Sequence, residues 1–262
     1  MTNSVFLCLE GVKIEISNHE NDSLLKKFYE QYRPASSIDE GSSQVDLVLS
    51  AKDNGLCLQW NSVSAKPLFF NIDVEKIVKQ LRSFPAPKQG AFNQALGKKT
   101  RTVIDATGGW GGDAILMCCQ GYDVSVIERQ PIMALMLVDA MQRLSQTNWA
   151  VDNGVKVPSV IHANAGDYFS SKVSKDDISD CVYLDPMFPP KKKKSAAVNK
   201  QMQLLQWLVG EDEDASELLN IVLESGVKRV SVKRPDYAEP LLKKPSNQFS
   251  SKLVHYDVYL AS

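Results

Sequence analysis

The chain has 262 residues, 44% hydrophobic and 23% charged, with a formal net charge of −1. That composition supports one large packed domain, or a core domain with an appendage, and excludes global disorder. A near-neutral chain is no general polyanion binder, so any nucleic-acid contact has to come from a local basic patch.

Residues 1–85 read as short strands with a helix or two, a small N-terminal α/β domain. VFLCLEG (5–11) is a strand candidate, and QVDLVLSAK (44–52) alternates polar and apolar residues like a half-buried strand. Asn54-Gly55 offers a tight turn into LCLQW (56–60), which predicts a hairpin over 44–60. FPAPKQG (84–90) clusters Pro and Gly and marks the boundary to a second domain, residues 86–262.

Beyond residue 100 strands and helices alternate. RTVIDA (101–106) is a first strand, and GGWGGDAILMCCQ turns into a helix. DVSVIE (123–128) is a second strand, and PIMALMLVDAMQRL (131–144) a buried helix that opens on a proline. PSVIHAN (158–164), DCVYLDP (180–186) and KRVSVKRP (228–235) are further strands. Residues 195–224 read as helical with an acidic EDED segment between two amphipathic pieces, and KLVHYDVYLA (252–261) adds one or two strands. This alternation predicts a doubly wound α/β sheet with ligands at the carboxyl ends of its strands.

Five cysteines form no CxxC pair and have no histidine at zinc spacing. They read as reduced core residues of a cytoplasmic protein, and no metal site is expected. MTNSVFLCLEG lacks a basic flank, which predicts no signal peptide. The apolar run from Pro131 to Val138 is far too short to span a membrane.

The loop DATGGWGGDA (105–114) follows a strand and opens a helix. Gly108 and the glycines after it permit positive φ and let a ligand approach the backbone. Gly109-x-Gly111-x-x-Ala114 satisfies a dinucleotide fingerprint, so an NAD-dependent oxidoreductase is one reading. Glu128 ends the second strand where a ribose-binding carboxylate belongs. Asp105 and Asp113 favour a different cofactor. Acids in the loop repel pyrophosphate but suit the amino and sulfonium groups of S-adenosyl-L-methionine. Trp110 either covers the cofactor or packs.

Asp185 ends the fourth strand, and Pro186 stops the ladder. The tetrad Asp185-Pro186-Met187-Phe188 resembles the (D/N/S)-P-P-(Y/F) motif of methyltransferases that modify exocyclic amino groups. In that reading Asp185 and the Pro186 carbonyl accept the amino hydrogens, and Phe188 stacks on the base.

VIDATGGWGGDA, VIERQPIMALML, VIHANA, VYLDPMFPPKKKKSA and VSVKRPDYAEPL follow one another in an order that resembles one family. That family is the bacterial small-subunit ribosomal RNA guanine-N2 methyltransferases, which act on guanine 1516 near the 3′ end of 16S rRNA. The resemblance runs from about Gly90 to the last strand. It implies a Rossmann-like Class I S-adenosylmethionine-dependent fold, with 16S rRNA or the small ribosomal subunit as partner. It also implies cofactor contacts from Gly112 and Asp113, from Glu128 and Arg129 around the ribose, from Asn164 and Ala165 at the adenine, and from Asp185. This chain departs from the family at Gly112, where Arg is usual, and at Asn164-Ala165, where paired small hydroxyl residues are usual. Asp167 is an alternative adenine contact or a helix cap.

Lys191, Lys192, Lys193 and Lys194 leave the strand end where a substrate base would enter, so they read as phosphate contacts rather than a solvated face. Lys233 and Arg234 either extend that patch or pair with Asp236 or Glu239. A non-catalytic RNA-binding module on the same fold is the remaining alternative.

Overall fold

The computed structural model describes residues 4–33, 45–61, 66–81, 83–171, 179–187, 199–210 and 214–260. The N-terminal sheet has the order β1-β2-β3-β4-β5. β1 (Ser4–Leu9) and β2 (Val12–Ser17) form a hairpin, followed by helix α1 (Ser23–Tyr32). The Asp22 carboxylate starts α1 by accepting the backbone N–H groups of Leu24 and Leu25, both at 2.9 Å. β3 (Leu47–Lys52) lies parallel to β2, and β4 (Gly55–Trp60) and β5 (Leu68–Phe70) continue antiparallel.

The hairpin expected over 44–60 is formed by β3 and β4, but its turn is one residue earlier. Lys52 pairs with Gly55, so Asp53 and Asn54 make the turn. Gly55 is needed for another reason. Its φ is +105°, and a Cβ there would lie 2.1 Å from Nε of Arg143.

Two short helices, α2 (Val74–Lys79) and α3 (Gly90–Leu96), lead to the second sheet. There β6 (Thr102–Asp105), α4 (Gly112–Cys119), β7 (Asp123–Glu128), α5 (Pro131–Gln146), α6 (Asn148–Asp152) and β8 (Ser159–His162) follow in turn. Next come α7 (Ala165–Ser171), β9 (Cys181–Leu184), α8 (Lys200–Val209) and α9 (Ala215–Glu224). β10 (Arg229–Pro235), β11 (Asn247–Ser250) and β12 (Val254–Leu260) complete the chain. The sheet order is β11-β12-β10-β9-β6-β7-β8. β6 to β10 are mutually parallel, while β12 runs antiparallel to β10 and β11 antiparallel to β12.

The chain enters this sheet at its middle, moves outward to β8, then returns beside β6 as β9. The reversal between β6 and β9 opens a crevice at their carboxyl ends, where doubly wound sheets bind ligands. Every residue of β9 is buried, as a central parallel strand requires. β11 escaped the sequence reading because Asn-Gln-Phe-Ser carries one apolar residue and forms a largely exposed edge.

One hydrophobic cluster runs from Leu7 of the first sheet to Val258 of the second. α5 is the shared wall. Its Asp139, buried among apolar neighbours, accepts the backbone N–H of Leu56 at 3.1 Å and the Arg143 guanidinium at 2.7 Å. Arg143 in turn donates to the Ile72 carbonyl at 2.9 Å. Replacing Asp139 by Ala strands a half-buried guanidinium and an unsatisfied N–H. The expected loss is roughly 2–4 kcal/mol of stability, read as a lowered midpoint in urea unfolding.

Candidate active site

The loop after β6 is pressed onto β7. Gly108 donates its N–H to the Ile127 carbonyl at 3.0 Å. A Cβ at Gly108 would lie 2.7 Å from Cγ1 of Val126, so only glycine permits this approach. Glu128, 5% exposed, locks the loop from the other strand. One carboxylate oxygen accepts the Gly109 N–H at 2.7 Å and the other the Gln130 N–H at 2.7 Å. Gly111, with φ +72°, ends the loop at the start of α4.

Two cavities meet over this loop. One, about 260 Å³, lies above β7 and β8 and is lined by Glu128, Arg129, Asn164, Ala165 and Asp167, with Leu205 and Ile221 among its apolar walls. The other, about 440 Å³, lies above β6, β9 and β10 and is lined by Asp105, Asp113, Tyr183, Lys233 and Tyr237. They share Thr107, Gly109, Asp185, Pro186, Met187 and Leu205. Asp185 therefore sits on the ridge between them.

Thr107 ties the ridge together. Its backbone N–H donates to Asp105 Oδ1 at 3.1 Å, and its hydroxyl oxygen accepts the Asp185 N–H at 2.7 Å. Sequence reasoning missed Thr107, because a hydroxyl after a strand carries no signal until the neighbouring strand is placed. Asp105 is 2% exposed. Burial, then the nearby Asp113 carboxylate, push its carboxyl up to about 8, with Asp185 and Glu128 adding to the rise.

Asp113 and Asp185 are joined by Lys233, whose Nζ lies 2.8 Å from Oδ2 of each. The Tyr183 hydroxyl also donates to Asp113 Oδ2, at 2.6 Å. Burial pulls the Lys233 ammonium down, but Asp185 and Asp113 outweigh it and hold the group well above its usual range. Lys233, expected either to extend a phosphate-binding patch or to pair with Asp236 or Glu239, pairs instead with Asp113 and Asp185. Arg234 is no part of an exposed rim. It is 7% exposed and donates to the Glu239 carbonyl.

The other expected residues divide by position. Arg129 lines the first cavity and is held at its wall by two other lining residues, Asp214 and the Val209 carbonyl, each at 3.3 Å. The Asn164 side chain accepts the Asp167 N–H at 3.2 Å at the start of α7, which leaves the exposed Asp167 lining the cavity beside it. A Cβ at Gly112 would meet no atom within 4 Å, so packing does not exclude a side chain there. Trp110 packs: its indole N–H donates to the Gln201 carbonyl at 3.1 Å, bolting the loop to α8, and its ring contacts Phe70. Phe188 and Lys191 to Lys194 lie outside the described residues.

The family described as SAM-dependent methyltransferase matches residues 35–261. Ribosomal RNA small subunit methyltransferase J of Aliivibrio fischeri (strain ATCC 700601 / ES114) is 40% identical over 198 residues, 71% of this chain and 75% of that protein. The chain belongs to the ribosomal RNA small subunit methyltransferase J family. The protein of the same name from Legionella pneumophila subsp. pneumophila is 38% identical over 174 residues, 66% of this chain and 69% of that one. In shape, a SAM-dependent methyltransferase from Neisseria gonorrhoeae superposes with a TM-score of 0.64 over 95% of both chains at 24% identity, which supports the fold.

Membership of the methyltransferase J family makes S-adenosylmethionine the cofactor, and the site suits it. Four acidic side chains, Asp105, Asp113, Glu128 and Asp185, surround the glycine loop, and burial, with repulsion from the other three added to it, raises Asp105. A cationic ammonium or sulfonium relieves that repulsion, whereas a pyrophosphate would worsen it. The dinucleotide fingerprint in this methyltransferase J chain is therefore a property of the tight turn alone. No helix among the described residues is long and apolar enough to cross a membrane.

Three outcomes follow from this geometry. A buried acid with a raised folded-state pKa favours folding at low pH, and that contribution declines as pH rises from about 3.8 to about 8. Asp105→Asn should therefore melt higher than the cofactor-free parent at pH 9, with the gap shrinking toward pH 5, in a thermal denaturation series. Gly108→Ala should cost about 1–3 kcal/mol and weaken S-adenosylhomocysteine binding in calorimetry. Gly112→Ala should stay within about 0.5 kcal/mol of the parent.

Proposed function

We propose that this methyltransferase modifies the exocyclic N2 of a guanine near the 3′ end of 16S rRNA, as free RNA or within the small subunit. The observation that carries the reading is the placement of Asp185 and Pro186 on the ridge between the two cavities. One cavity then takes the adenosine half of the cofactor, and the ridge separates it from the space open to a target base. The named activity of the curated relatives supports the RNA substrate.

S-adenosylmethionine, when bound, supplies an electrophilic methyl group. Glu128 accepts the ribose hydroxyls on lone pairs left by its two backbone bonds. Asp167 or Asn164, with Ala165, edges the adenine, and Arg129 closes the cavity mouth through Asp214. Asp105, Asp113 and the backbone of Gly108 to Gly112 face the amino-acid end.

The guanine amino group is a poor nucleophile because its lone pair is delocalised into the ring. Asp185 and the Pro186 carbonyl accept its two hydrogens and turn the lone pair toward the donor. Lys233 holds Asp185 Oδ2, so the carboxylate is presented in one orientation. Pre-organisation of this kind supplies most of the rate when reacting atoms are held about 3–3.5 Å apart. Asp185 need take no proton beforehand: the amine would become acidic only as the N–C bond forms and the donor's S–C bond breaks, S-adenosylhomocysteine would leave, and the released proton would pass to Asp185 or to solvent. Phe188 is assigned to stacking on the base, and Lys191 to Lys194 to the phosphates.

Asp185→Ala should lower methyl transfer to 16S rRNA by at least about 100-fold while S-adenosylhomocysteine binding stays measurable. Mapping N2-methylguanine in 16S rRNA from a deletion strain, with and without this protein, checks the site. Normal methylation by the Ala variant, or an unchanged map, would sink the assignment.

A further inference from the structure

We propose that Lys233 is a positioning residue for methyl transfer, an internal clamp that fixes and neutralises Asp185 by bridging it to Asp113 of the cofactor loop. This deepens the functional reading above and rests on Asp185 being the acceptor for the target amine.

The geometry is specific. Lys233 lies in β10, paired across the sheet with Tyr256 of β12, and one step beyond Val232, which pairs with Leu184 of β9. That register brings its side chain to the strand end where Asp185 leaves β9. The side chain is 24% exposed, and Nζ contacts Oδ2 of both carboxylates at 2.8 Å. The two oxygens are thus no further apart than twice that distance. Without the ammonium, two carboxylates would face each other across a partly buried gap.

The surroundings make this cation matter more. Among the described residues, the titratable groups around the gap are Asp105 from β6, Asp113 from α4, Tyr183 and Asp185 from the β9 segment, and Tyr256 from β12, all neutral or negative. Arg234, the next residue of β10, is directed to the Glu239 carbonyl instead. Among the described residues, Lys233 is the ammonium placed between the acid of the cofactor loop and the acid of the target site. Carboxylates left facing each other hold a proton more tightly. A protonated Asp185 would present a donor to an amine that needs an acceptor. The clamp also links the two half-sites mechanically, since Asp113 belongs to the first turn of α4 and Asp185 to the ridge.

The test compares wild type, Lys233→Met and Lys233→Arg on a 16S rRNA substrate as a function of pH. The clamp predicts that Lys233→Met loses roughly 10–100-fold in kcat near neutral pH, with KM for RNA changed less than about three-fold. Its acid limb should move up by about one pH unit or more, so that activity recovers in alkaline buffer. Lys233→Arg keeps the charge, so its acid limb should stay at the wild-type position. In Lys233→Ala, added ethylamine should restore part of kcat. Melting curves and S-adenosylhomocysteine calorimetry on each variant establish that it is folded.

If Lys233→Met does not fold, Asp113→Asn reads the same coupling from the other side. With Lys233 devoted to Asp185, its acid limb should move down. An unshifted acid limb together with a failed amine rescue overturns the clamp. So does a Lys233→Met variant whose defect lies in KM for RNA with a reduced salt slope, since that is the signature of a phosphate contact. The underlying functional reading fails separately, by absence of methyl transfer in the wild type or by normal transfer in Asp185→Ala.

Discussion

Four carboxylates converge at one end of a parallel sheet, and the site depends on how their repulsion is handled. Parallel strands all end on the same side, so residues that close β6, β7 and β9 meet there whatever their separation in the chain. Asp105, Glu128 and Asp185 arrive in this way, and Asp113 joins them from the first turn of α4. The protein answers with three different devices. Asp105 is buried, and burial and the neighbouring Asp113 push its carboxyl up to about 8. Glu128 gives both oxygens to backbone N–H groups. Asp113 and Asp185 share Lys233. What remains is a negative site matched to a cationic cofactor.

The N-terminal sheet contributes to this arrangement through packing. α5 forms the wall between the two sheets and carries the buried Asp139–Arg143 pair that satisfies backbone groups of both β4 and the segment after β5. Trp207 of α8 stacks near Trp60 of β4 at 5.4 Å, and Trp110 of the cofactor loop touches Phe70 of β5. α8 in turn lends Leu205 to both cavities. The first sheet therefore braces the loop and helix that shape the cofactor cavity, without supplying a residue to its lining.

Much of the fold was legible because the relevant signals are local. Short apolar runs ending in acids marked β6, β7 and β9, and a glycine loop into a helix marked the cofactor turn. Elements without a local signal were missed: β11 has one apolar residue in four and is held by its pairing with β12. The hairpin turn was misplaced by one residue, because Gly55 opens β4, where its φ of +105° and the Arg143 side chain from α5 both call for glycine. Among site residues, Asp185 and Glu128 were readable as strand-ending acids. Thr107 and the role of Lys233 were not, since each acts across strands that are distant in sequence.

The sequence by itself determined the class of sheet, the glycine loop after β6 and the acid that follows β9, since each is written in a contiguous segment whose pattern reflects one strand or one turn. Tertiary structure decided how the charges pair. Lys233 and Arg234 are adjacent in a basic pair and looked alike as candidates for RNA. Neighbouring residues on a strand face opposite sides of the sheet, so the sheet sends one into the acid cluster and the other to a backbone carbonyl. No local pattern could separate them, because the partners that distinguish them come from β9 and α4 on one side and from the loop after β10 on the other.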